Sequence, residues 1–156
     1  KDSKYTPAEA NYTEMAEVKM ALTETGAQTG KGFYVLENNS TEHPTILCLK
    51  GELTQADGTA LTDEQAAQAV EAGWIVSAED HSTYYPVLVN WAKDGYSYDA
   101  AYTAKNAIER NHKYEIALTI TGPGTNSPED PTAEKANLDV KCKVLPWVIV
   151  KQNVVW

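Results

Sequence analysis

The sequence lacks most of the features that announce a biochemical function. No apolar run approaches the roughly 18 residues of a membrane-spanning helix. Lys and Arg do not cluster: 13 basic residues stand against 22 acidic ones, for a formal charge of -9. A nucleic-acid binder presents a basic face, and this chain has none to present. An anionic membrane surface is disfavoured for the same reason. Cysteine is scarce, and Cys48 and Cys142 are far apart with no metal-ligand spacing. Each lies in a strand-like segment, so the pair reads either as two small buried hydrophobes or as a disulfide between strands. The chain opens on Lys1 with no apolar signal segment behind it. The expectation is a mature or trimmed chain whose export signal or lipid anchor lies outside it.

Catalytic and cofactor patterns are equally sparse. His43, His81 and His112 are scattered through polar stretches, outside any helix-borne zinc pattern. Glu79-Asp80-His81 is the one acid–His cluster, and a solvated loop accounts for it better than a metal or acid–base site. No Gly-x-Ser-x-Gly elbow occurs. Gly30-Lys31-Gly32 and Gly122-Pro123-Gly124 lack the spacing of phosphate loops. The acidic loop over residues 126–134 has no alternate-residue ligand ladder for calcium, and Pro128 and Pro131 explain it as a rigid connector. No catalytic residue, cofactor or metal is therefore expected. Asn11-Tyr12-Thr13 and Asn39-Ser40-Thr41 match glycosylation sequons of a kind that arises by chance.

What is present is a β protein. The length of 156 residues suits one ordinary domain able to bury a core, and 42% of residues are apolar, with four Trp and nine Tyr. Residues 114–121 alternate, with Tyr114, Ile116, Leu118 and Ile120 on one face. Residues 138–144 alternate as cleanly, with Cys142 facing in. Further strands are expected over 84–91, with Pro86 near an edge or bulge, over 45–53 and over 32–37. Asp57-Gly58, Asp94-Gly95 and the Gly/Pro-rich stretch 122–131 punctuate them. One helix is expected over 61–73, where Thr62 and Gln65 form a capping box, Leu61 staples onto Ala66, and Gly73 stops it. Residues 7–14 read as a turn or short helix, and 15–23 as a strand. The fold class is all-β with one short helix, a two-sheet sandwich. Tyr84, Tyr85, Trp91, Tyr96, Tyr98 and Tyr102 serve either core packing or a sugar site.

The C-terminus is the most informative segment. Chain ends are usually polar and frayed; this one runs Pro146-Trp147-Val148-Ile149-Val150-Lys151-Gln152-Asn153-Val154-Val155-Trp156. Residues 147–150 are apolar on both faces, so a strand there wants burial on two sides. Left as a bare edge it is an aggregation hazard. Pro146 has no amide donor and forms a natural hinge before it. The tail is either the last strand of its own sandwich or a strand for another molecule, the mode of strand donation known in pilus assembly.

A series of motifs then resembles a known family. Ile108-Glu109-Arg110-Asn111-His112-Lys113-Tyr114, Ile120-Thr121-Gly122-Pro123-Gly124, Pro128-Glu129-Asp130-Pro131 and Pro146-Trp147 look like the C-terminal half of Bacteroidales fimbrillins, stalk subunits of type V pili. Phe33-Tyr34-Val35-Leu36-Glu37-Asn38, Pro44-Thr45 and Tyr84-Tyr85-Pro86-Val87 extend the likeness upstream. The ending at 151–156 is most similar to the minor (short) fimbria branch.

The resemblance implies a transthyretin-like, Greek-key sandwich and a chain corresponding to one C-terminal domain, residues 1–156, with 146–156 as donor strand. It implies a non-enzymatic structural subunit whose tail fills a groove in the next copy. Trp147, Ile149, Val154 and Trp156 are the expected pegs, with Val148 and Val150 if the register shifts by one; Val155 belongs to the same segment. Arg110, Asn111 and Tyr114 are expected to be structural. Implied partners are other copies, accessory fimbrial subunits, and host or bacterial surface receptors. The implied location is a surface fimbrium at the outer membrane, reached through the periplasm and anchored only through a precursor lipid absent from this chain. The rival is a carbohydrate-binding or tip-adhesin module whose tail is internal; an exposed Tyr/Trp cluster on one face would mark it.

Overall fold

β-Branched and aromatic residues alternating between turn signals produce strands here. The computed structural model describes residues 34–128 and 138–146. The chain divides into two units, residues 1–35 and Leu36–Trp156, and all elements below belong to the second. They are β1 (Ile46–Glu52), α1 (Asp63–Glu71), β2 (Ser82–Leu88), β3 (Tyr96–Tyr98), β4 (His112–Ile120) and β5 (Leu138–Pro146). β1 and β2 pair antiparallel, and a second sheet has the order β3-β5-β4. Among the described residues, strands in two sheets with one short helix are the all-β architecture expected. The opening segment, residues 7–23, lies outside the described residues.

β1 and β2 pair without a bulge from Ile46 opposite Leu88 to Glu52 opposite Ser82. The flanking bonds, Val89 N–H to Thr45 O (3.0 Å) and Leu53 N–H to His81 O (2.9 Å), fix which pairs are hydrogen-bonded. By alternation, Pro86 opposite Cys48 falls in a non-bonded pair, so its missing N–H faces away from β1. That outer edge of β2 is otherwise occupied. Tyr84 exchanges two 2.8 Å bonds with Thr125, and Leu88 N–H donates to Tyr96 Oη at 3.0 Å. A bridge, a proline and a tyrosine hydroxyl together blunt the edge. The Tyr84–Thr125 approach requires Gly124, where a Cβ would collide with Tyr84 O and lie 2.7 Å from Thr83 Oγ1.

Two strand expectations need correction. Residues 34–37 form no strand; Asn38 makes only an isolated bridge to Ile108. The reason is local: the Asn38 side chain bonds His43 O (2.8 Å), Thr45 Oγ1 (3.2 Å) and Ser40 N (2.9 Å), folding the chain into a turn. β2 stops at Leu88 rather than 91, because Asn90 takes a left-handed φ of 58°. The short β3, parallel to β5, was not expected from the pattern.

The helix forms as its sequence directs. Gln65 N–H donates to Thr62 Oγ1 (3.3 Å), Thr62 N–H donates to Gln65 Oε1 (2.9 Å), and Gly73 at φ 71° follows the C-cap. Ala66 and Ala69 pack with Ile75 under Leu53 and Leu61 as a small core of their own. Val87, Ile108, Val140 and Cys142 are buried outside that cluster.

Candidate functional site

The tail at 147–156 lies outside the described residues; what the structure describes is the strand that leads into it. β5 is the middle strand of its sheet, paired over nine residues with β4 and over three with β3. Val140 and Cys142 are buried on its inner face, while Asp139, Lys141 and Lys143 are exposed on the outer one. The ladder runs to Pro146, opposite His112. The last four residues of β5, Lys143 to Pro146, pair with β4 alone, and the strand is held from both sides only at Val140 to Cys142.

The expected structural residues group at the start of β4. Arg110 donates twice to Glu37, at 2.7 and 2.6 Å. This contact holds the Glu37 carboxyl below its usual range. Asn111 turns the chain at φ 59°. Tyr114 Oη accepts from Glu109 N–H at 2.9 Å. Sequence reasoning missed Asn90, although it organises this region. It is 1% exposed, donates to Ala107 O at 2.6 Å and accepts from Tyr102 Oη at 2.8 Å. Its sequence context, between an apolar strand and Trp91, carried no signal for that role.

Two alternatives left open by the sequence are now placed. Both cysteines are free, Cys48 half-buried on β1 and Cys142 buried on β5, so no disulfide joins them here. Burial pushes the Cys142 thiol up to about 11. Among the described residues, none of the aromatic candidates Tyr84, Tyr85, Trp91, Tyr96, Tyr98 and Tyr102 is exposed. Tyr85 Oη donates to Gly122 O (2.9 Å), Tyr98 Oη to Trp91 O (2.7 Å), and Tyr96 and Tyr102 hold Leu88 N and Asn90. These hydroxyls fasten loops. The acid–His cluster is a turn: Asp80 accepts from Ser82 N–H and His81 Nε2 meets Ala78 O at 3.0 Å.

Comparison with known proteins decides the family. The family model "FimA4 pilin C-terminal domain" matches residues 1–147. The chain belongs to this pilin family. It is 53% identical over 156 residues to a Porphyromonas gingivalis protein named major fimbrium subunit FimA type-2, covering 97% of this chain and 40% of the relative. To a type-3 subunit of that organism it is 52% identical over 159 residues, with the same two shares, 97% and 40%. A solved fimbrilin from strain W83 matches with a TM-score of 0.72 at 48% identity, over 82% of this chain and 37% of that one. The pilin domain thus spans about two-fifths of the length of these relatives. Their names are those of major-fimbrium subunits, so the leaning of residues 151–156 toward the minor fimbria is not the affiliation they carry.

Proposed function

We propose that this chain is the C-terminal sandwich domain of a structural, non-enzymatic fimbrial subunit, and that residues 146–156 are its polymerising strand. The observation that carries the reading is the attachment of an apolar, β-forming tail to the central strand β5 at Pro146. Inserting a ten-residue strand into an apolar groove buries on the order of a few hundred Å², which at ~25 cal/mol per Å² gives several kcal/mol. Pairing on both sides satisfies the strand's donors and acceptors. Trp147, Ile149, Val154 and Trp156 act as pegs, or Val148 and Val150 in the shifted register, with Val155 packing beside them and Pro146 as hinge. The relatives' names support a polymer of like subunits on the cell surface. Accessory subunits and surface receptors complete the partner set, with export through the periplasm and outer-membrane attachment by a precursor lipid. The sugar-module reading has no exposed aromatic cluster among the described residues to support it.

The test replaces pegs within the longer subunit. Ile149→Asp should leave the domain folded and stop filament growth, and so should Trp147→Asp. Normal filament length in both variants would refute the donor role of the tail.

A further inference from the structure

The connection between β1 and β2 carries a feature that the strand-donation reading does not use. Residues 53–81 form a cap with its own small core of Ala66, Ala69 and Ile75. The cap holds six carboxylates and no Lys or Arg, and all six are exposed: Asp57, Asp63, Glu64, Glu71, Glu79 and Asp80. Against this acidic background, Val70, Trp74 and Val76 leave apolar surface in water at 37%, 37% and 44% exposure. A tryptophan standing out among charges is the composition of an interface centre with a polar rim.

A complementary surface lies on the outer face of the β3-β5-β4 sheet. Small residues there, Gly95, Ser97, Ala117 and Thr119, line a shallow concavity of about 530 Å³ bordered by Asp139 and Lys141. Lys113, Lys141 and Lys143 are exposed on the same face. Lys113 pairs with Glu115 at 2.7 Å, which leaves Lys141 and Lys143 against Asp139, a net positive charge in a chain whose overall charge is -9. The face therefore offers a shallow recess beside Lys141 and Lys143, with a small excess of positive charge to meet an acidic partner.

We propose that Trp74 of one copy seats in this concavity of a second copy, with the cap carboxylates against Lys141 and Lys143. Knob and recess are different surfaces of one chain, so the contact is heterologous: it repeats head to tail and does not close into a symmetric dimer. The inference rests on the self-association proposed above and adds to it a second contact, independent of the tail.

The test uses the 156-residue chain in sedimentation equilibrium, with circular dichroism to confirm folding. Wild type should show a mass that rises with concentration and falls with added salt. Trp74→Ala removes the knob and Ala117→Trp fills the recess; each alone should weaken association by about tenfold or more. Mixed in equal amounts, they should form dimers and stop there, because only one productive pair remains. Lys141→Glu should weaken association as well. The proposal fails if either variant associates like wild type, if the mixture stays monomeric while wild type associates, or if wild type is monomeric throughout. Ile149→Asp separates the two readings. If it alone abolishes association and Ala117→Trp is neutral, the face contact is wrong and the tail stands. If it leaves both filaments and association intact, the tail reading falls and the face contact is judged on the mixture.

Discussion

Gly124→Ala is a sharp test of how the two sides of the β2 edge are joined. Gly124 has no left-handed φ, so its conformation does not require glycine; the space does. An added methyl meets the Tyr84 carbonyl, which is main chain inside a strand and cannot swing aside. Overpacking of this kind costs ~1–3 kcal/mol. The backbone shift it forces also strains the two 2.8 Å bonds between Tyr84 and Thr125, at about 1 kcal/mol each. The expected loss is about 3 kcal/mol. With a urea m-value of about 2 kcal/mol/M, the midpoint should fall by ~1.5 M, and Tm by about 6–12 °C. Gly58→Ala is the control: φ is 82° but the methyl meets nothing within 4 Å, so the cost is conformational, about 1 kcal/mol. If urea melts show Gly124→Ala losing no more than Gly58→Ala, the close approach is not what holds this edge.

Other outcomes follow from the same contacts. Asn90→Ala removes a buried donor and acceptor and leaves alanine at φ 58°; it should cost ~3 kcal/mol in urea melts, with Asn90→Gly recovering about 1 kcal/mol of that. Tyr98 is pushed up to about 12, chiefly by burial, and Tyr85, Tyr96, Tyr102 and Tyr114 are raised by the same cause. Each stays protonated in the fold after its unfolded counterpart ionises near pH 10. Stability is therefore full below about pH 10 and falls as pH rises toward about 12, which Tm and tyrosinate absorbance followed together will check. Thiol labelling of the native chain should reach half-buried Cys48 first and Cys142 only on unfolding; equal rates would contradict the burial described, and absence of free thiol would reinstate the disulfide.

The parts of this fold legible in sequence were those set by neighbours along the chain. Tyr114 to Leu118 and Leu138 to Val144 alternate because one face is more covered than the other, and they lie in β4 and β5, while Ile120 at the end of β4 is exposed. Thr62 and Gln65 cap each other across three residues, so the helix start needed no tertiary information. What escaped depends on distant partners. Tyr85 bonds a carbonyl 37 residues away, and no local pattern separates that tyrosine from one in a sugar site. β3 is three residues long and is held by a parallel neighbour more than forty positions on. Asn38 and Asn90 redirect the chain where β-propensity alone would have continued it. The tail was visible as an anomaly of composition, while the role proposed for it came from likeness to fimbrillins.

Deleting residues 147–156 from the longer subunit tests the central claim most directly. Folding is checked by circular dichroism, and assembly by heat-labile ladders on gels and by electron microscopy of filaments. A folded, truncated subunit that makes neither ladders nor filaments is the predicted result. Filaments of normal length from that subunit would show that the tail does not join copies.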